Sequence, residues 1–146
     1  TRPDKEHGTG PDVLWISEDG CAVVMEVKTN KRTSSSYKKD DLGQLRDHVQ
    51  WVVDRYQPTQ VAPIFVGHLL AASEQANPSS EMLVIELDQF HSVGKRLVST
   101  IQDVAANAIA LQLFEELTDK MTARGLLWPE VYESLEKSLL IELTVP

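Results

Sequence analysis

Pro11-Asp12-Val13-Leu14-Trp15-Ile16-Ser17-Glu18-Asp19-Gly20-Cys21-Ala22-Val23-Val24-Met25-Glu26-Val27-Lys28 is the stretch from which the rest of the chain can be placed. Two apolar runs flank an Asp-Gly turn signal, which predicts a β-hairpin. With Glu18-Asp19-Gly20 as a three-residue loop and Gly20 left-handed, Ser17 faces Cys21 and, counting outward, Asp12 faces Glu26. Directly opposed strand residues have Cβ atoms about 4.5–5.5 Å apart, a separation from which two carboxylates can reach one hard cation. Side chains alternate along a strand, so Glu26 and Lys28 share a face while Met25 and Val27 take the other. Opposed carboxylates repel, and removing each from water costs several kcal/mol unless it is paired or coordinates a metal. A bound Mg²⁺, or Mn²⁺ in its place, relieves both penalties. The plainer alternative leaves Asp12 in a loop and Glu26 and Lys28 on an exposed strand end.

Residues 28–39 hold five basic side chains, Lys28, Lys31, Arg32, Lys38 and Lys39, and no acid. The whole chain carries a net charge of −8, which by itself argues against phosphate binding, but nine bases face 22 acids in the other 134 residues. The positive field is therefore concentrated just after the hairpin. Lys31, Arg32, Lys38 and Lys39, with Ser34, Ser35, Ser36 and Tyr37 between them, suit contacts to nucleic-acid phosphates; the alternative is a solvated loop.

Beyond this loop Asp40 or Asp41 can cap a helix running to about Gln57, with Leu42, Leu45, Val49 and Val52 or Val53 as its apolar stripe. Gln44 lies beside that stripe, and His48, at helical spacing from it, is either a second polar contact or a packing residue. Pro58 stops the helix. Residues 61–67 and 82–87 read as further strands, and Leu70 to Ser80 as a mobile loop. From Asp88 the pattern turns helical: Asp88 or Ser92 opens a segment to about Ala106, Ala108 to Thr122 continues, Gly125 ends it, and Pro129 starts a last helix through Leu140. Val98, Ile101, Ile109, Leu113, Leu117 and Met121 are its expected packing positions. The fold class is α/β, a mixed sheet with flanking helices and a helical C-terminal extension.

A chain of 146 residues, 42% hydrophobic, supports one core of ordinary size. One cysteine, Cys21, allows no internal disulfide and suits a reducing cytoplasm. No apolar run approaches the roughly 18–20 residues of a membrane helix, so no membrane partner is expected. His7, His48, His68 and His91 lack zinc-ligand spacing, and neither a G-x-x-x-x-G-K loop nor a G-x-S-x-G elbow occurs.

The Pro11-Asp12 pair, the Glu26-Val27-Lys28 triplet and the following Gln44 make residues 11–86 resemble the PD-(D/E)XK nuclease superfamily of restriction-endonuclease-like fold, in its Holliday-junction-resolvase and Mrr-like branches. The resemblance implies that Asp12 and Glu26, with the backbone carbonyl of Val27, bind Mg²⁺. It also places Lys28 near the attacking water and scissile phosphate, with Gln44 assisting. The position four after the glutamine, a tyrosine in the RecB-like branch, is His48 here. The family core opens with a helix, often bearing a further acid, and a strand; residues 1–10 read as a polar segment instead. Glu6, in a Gly-rich stretch, is either a substitute acid or solvated. The expected organisation is a polar segment 1–10, a nuclease-like core 11–87 and a helical extension 88–146 packed on it. The expected function is Mg²⁺-dependent hydrolysis of DNA within a larger restriction, repair or defence protein, with a partner domain or a second copy of the chain as further contacts. The alternative is an inactive module of the same fold that binds nucleic acid or protein.

Overall fold

The computed structural model describes residues 8–107, 113–127 and 130–143. They divide into two compact units, one spanning Thr1–Leu87 with Lys137–Pro146 and the other Asp88–Glu136.

In the first unit five strands form one mixed sheet in chain order: β1 (Val13–Ile16), β2 (Cys21–Val27), β3 (Gln60–Gly67), β4 (Leu83–Glu86) and β5 (Ser138–Leu139). The α/β class expected from the hydrophobic pattern is the observed one. β1 and β2 are antiparallel in the register Val13↔Met25 to Ile16↔Ala22, and Ser17 N–H donates to the Cys21 carbonyl at 2.9 Å. Gly20 closes the turn at φ +83°, the left-handed conformation that a side chain would resist. The helix α1 (Lys39–Tyr56) then crosses over to β3, which runs parallel to β2, and β4 runs parallel to β3. Pro63 precedes by one residue the first β3–β4 pair, Ile64↔Leu83, so its missing N–H costs that ladder nothing.

Both faces of the central strands are apolar, as strands flanked by parallel neighbours require. On one face Leu14, Ala22, Val24, Phe65 and Val84 meet Leu42, Leu45 and Val52 of α1, with Val49 and Trp51 packed at the margin. On the other Val23, Met25, Ile64, Val66 and Ile85 are equally buried. The expected stripe of α1 is the observed one, with Val52 and not Val53 as its last buried member. Its start differs: Lys38, not an aspartate, is the N-cap, and Asp41 at the third helical position reaches back to accept the Lys38 N–H at 2.7 Å. Gln57 ends the helix left-handed, at φ 48°, immediately before Pro58.

The segment from Leu70 to Ser80, expected as a mobile loop, is anchored to the core in its first half, while Glu74, Gln75, Asn77, Ser79 and Ser80 are exposed. Leu70, Ala71 and Ala76 are buried, and Tyr37 bridges Ala72 through hydrogen bonds to Ala71 and from Ser73. Tyr37 itself stacks on Phe65 with ring centroids 4.5 Å apart, and its hydroxyl donates to the His68 carbonyl at 3.0 Å.

The second unit holds α2 (Leu87–Asn107), α3 (Leu113–Ala123) and α4 (Glu130–Ser134). Gly125 terminates α3 left-handed, with Gly125 N–H on the Thr122 carbonyl and Leu126 N–H on that of Met121, so two carbonyls at the helix end find donors. Arg124 joins α3 to α2 by donating to Thr100 at 2.8 Å, which satisfies a fully buried hydroxyl. The expected packing stripe of α2 is out of phase: Val98 and Ile101 are exposed, while Thr100 and Val104 are buried. Ile109 lies outside the described residues, as does the side chain of Leu113. The last helix is shorter than expected. It stops at Ser134, and residues that were to continue it form β5 against β4, with the Leu140 N–H on the Met82 carbonyl at 2.8 Å. A strand-edge pairing and the complete burial of Leu140 outweigh local helix preference there.

Candidate active site

The β1–β2 register, extended by one residue beyond its last pair, sets Asp12 opposite Glu26 on the face that α1 covers. Asp12 Oδ2 accepts the Val27 N–H at 2.8 Å, which ties the aspartate to the strand end carrying Glu26. The parallel ladder continues past β2, because Lys28 N–H donates to the Val66 carbonyl at 2.9 Å. Gly67 permits this close approach: a Cβ there would lie 3.0 Å from both the Lys28 carbonyl and the Tyr37 hydroxyl.

Glu26 is the only charged side chain among the described residues in the buried class, 2% exposed. Its Oε1 lies 3.0 Å from Lys28 Nζ and its Oε2 lies 2.9 Å from His48 Nδ1. The second contact is at ion-pair distance but not aligned as a hydrogen bond, so both buried atoms lack a hydrogen-bond partner among the described residues. Burial raises the Glu26 pKa, but His48 and Lys28 outweigh it and hold the carboxyl below the ordinary glutamate range.

Lys28 is shared. Its ammonium donates to Gln44 Oε1 at 2.7 Å and lies 3.8 Å from Asp41 Oδ1. Asp41 in turn accepts from Lys31 Nζ at 2.7 Å, and against the cost of burial the Lys31 contact, the Lys38 N–H and the nearby charges hold its carboxyl low. Asp41, Gln44 and His48 fall three and four residues apart and so point from one face of α1. Leu42, Leu45 and Val52, all with no exposed surface, seat that helix on the sheet and thereby bring its polar row to the end of β2.

The structure therefore gathers Glu26, Lys28 and Gln44, with Asp12 bonded to Val27 beside them. The basic loop divides. Arg32, Lys38 and Lys39 are exposed, but Lys31 is half-buried and engaged by Asp41 and by the Ser36 carbonyl at 3.2 Å. Tyr37, expected among the phosphate contacts, is in the core with its hydroxyl spent on His68, and burial pushes its pKa up. Ser36, Lys38 and Lys39 instead line a cleft of about 610 Å³ with Ser73 and Gln75, in which Asp40 and Glu74 also stand.

The sequence offers Asp41, like Asp40, as a helix cap, and allows His48 either a polar contact or a packing place. The available signal was their spacing about Gln44. No group of three or more His, Cys, Asp or Glu side chains that could hold a metal occurs among the described residues. The carboxylates of Asp12 and Glu26 are nevertheless donors of the kind a hard cation takes, and a buried carboxylate oxygen without an aligned donor is what such an ion would satisfy. Among the described residues no helix is long and apolar enough to cross a membrane. No protein-family model, curated protein or solved structure matches the chain.

Proposed function

We propose that this chain is a metal-dependent nuclease domain that hydrolyses phosphodiester bonds in DNA. The observation that carries this reading is the buried Glu26 at the end of β2, opposed to Asp12 and paired with Lys28, while Gln44 of α1 holds the lysine from the other side. A purely structural ion pair has no need of a strand end, an opposed acid and a shared lysine together, and buried charges so arranged belong more often to reactive sites.

Asp12, Glu26 and the Val27 carbonyl would hold Mg²⁺, or Mn²⁺ in its place. When bound, the metal polarises the phosphate and acidifies its water. Lys28 orients the attacking water. The water oxygen adds to phosphorus as its proton passes to solvent, the bond from phosphorus to the leaving sugar oxygen breaks and that oxygen takes a proton from solvent, and the ammonium stabilises the charge that develops on the phosphoryl oxygens. Gln44 keeps Lys28 in place by accepting a hydrogen bond from its ammonium. Arg32, Lys38 and Lys39, which are exposed, attract the nucleic-acid backbone, and counterion release makes that attraction salt-dependent. The domain belongs, on this reading, to a larger restriction, repair or defence protein.

One observation favours a second reading, a catalytically inactive module that binds nucleic acid or protein: both oxygens of Glu26 already face cationic or protonatable partners. Cleavage separates the two. Plasmid, linear duplex, single-stranded DNA and RNA are incubated with the intact chain in Mg²⁺ or EDTA. Mg²⁺-dependent loss of DNA supports the nuclease; binding without cleavage in Mg²⁺ and in Mn²⁺ supports the inactive module.

A further inference from the structure

We propose that His48 is a positioning residue for Glu26, fixing the orientation of its carboxylate so that Lys28 stays available to substrate. The inference rests on the nuclease reading above and assigns within it a residue for which spacing alone left two roles open. Glu26 is gripped from two sides, by Lys28 of its own strand and by His48 of α1. The helix supplies one polar side chain per turn to this pair, Gln44 to the lysine and His48 to the glutamate. His48 is not filling space with an indifferent ring, because its buried Nδ1 is turned toward Glu26 Oε2 at 2.9 Å, an ion-pair distance.

The consequence follows from geometry and charge. A buried carboxylate oxygen with nothing opposite it is costly. Without His48, Oε2 turns toward the nearest remaining cation, which is Lys28, and the ammonium is drawn into a two-oxygen contact away from Gln44. The carboxylate then presents a different edge to a metal ion. Both changes impair the reaction step and metal loading, and neither touches the exposed bases that hold DNA.

The test uses the intact chain with His48→Ala, His48→Asn and His48→Gln. Asparagine can place an amide nitrogen near the position of Nδ1, whereas glutamine extends its own one bond further. Mn²⁺ affinity is measured by calorimetry without DNA, kcat and KM on linear duplex, and folding by thermal unfolding. His48→Ala is expected to bind Mn²⁺ about 10–100-fold more weakly and to lose kcat on the same scale, as for other groups that orient metal ligands. KM stays near wild type, and His48→Asn recovers most of both losses while His48→Gln does not. Such rescue is not expected of a residue that merely packs. Wild-type Mn²⁺ affinity and kcat in His48→Ala overturn the proposal, as does a loss confined to KM. If His48→Ala does not fold, the contrast between the asparagine and glutamine variants decides, and equal behaviour of the two overturns it. A wild-type protein that neither binds Mn²⁺ nor cleaves removes the nuclease reading and this proposal with it, whereas an active wild type with unaffected variants removes this proposal alone.

Discussion

The hairpin carries acids at both ends, and the surroundings of Asp19 at the tip and Glu26 at the base differ. At the tip Asp19 is exposed, and its carboxyl is held low by the Ser17 hydroxyl and the Cys21 N–H of its own turn. At the base Glu26 is buried, and its partners are a lysine two residues on and a histidine of a helix laid across the sheet. The tip is satisfied by what the turn needs in order to close. The base gathers charge beyond what folding a hairpin requires, and depends on α1 being seated correctly. An acid satisfied within its own turn is a local device; a buried acid paired from distant segments carries a desolvation cost that its partners must offset.

The sharpest break in this comparison comes from activity. On the nuclease reading Lys28→Ala is expected to lower cleavage by at least about two orders of magnitude, the scale of losing a preorganised electrostatic contribution, and Asp19→Ala to leave the rate at wild type. Single-turnover cleavage of linear duplex measures both, and equal rates for Lys28→Ala and wild type remove the lysine from the mechanism.

Backbone packing gives the next contrast. Gly67→Ala presses a Cβ to 3.0 Å from the Lys28 carbonyl and the Tyr37 hydroxyl, both held in place, and costs about 2–3 kcal/mol by overpacking. Gly20→Ala at the tip places a side chain at φ +83° beside the more yielding Thr59 side chain and costs about 1–2 kcal/mol. Urea unfolding ranks them, and the reverse order contradicts the tight approach at the base.

Acid sensitivity separates the two ends further. Glu26 is held below its ordinary pKa in the folded chain, so its contribution is complete above the unfolded glutamate value of about 4.3. It is lost as pH falls through the lower folded value, because the unfolded state then binds the proton first. Asp41 acts in the same direction. Glu26→Gln should therefore flatten the fall in stability below about pH 4.3 without abolishing it. Unfolding midpoints between neutral and acidic pH give the slope, and an unchanged slope in the variant places the acid-sensitive groups elsewhere.

The smallest effect per residue lies in the basic loop. Arg32, Lys38 and Lys39 are exposed and Lys31 is engaged by Asp41. Replacing the three exposed residues together lowers the salt slope of DNA binding by up to about three, near one per lost phosphate contact. Lys31→Ala acts chiefly on stability. A Lys31→Ala slope change equal to that of the exposed residues would show the Asp41 pair to open on binding.

The hairpin was legible because its determinants are local: an Asp-Gly turn, alternation, and a register counted from Gly20. The crossover helix was legible from its stripe and Pro58, whereas the pattern left open whether Glu26 is buried or stands on an exposed strand end. His48 and Asp41 were harder to place because their roles depend on how α1 is rotated against the sheet, which spacing limits but does not fix. Tyr37 looked like part of a polar loop, yet the space above Phe65 and the pairing with Ala71 and Ser73 draw it inside. The end of the chain misled for a related reason: whether Ser138 and Leu139 continue a helix depends on the free edge of β4, a partner far away in sequence.

Thermal unfolding in the presence of Mg²⁺ tests most directly whether the base of the hairpin is a metal site. An ion that binds the folded chain alone stabilises it by about 2.7 kcal/mol at a hundredfold excess over Kd, so the wild-type midpoint should rise with Mg²⁺ and with Mn²⁺, and Glu26→Gln should lose that rise. A midpoint that does not move, or that moves equally in wild type and Glu26→Gln, contradicts the site.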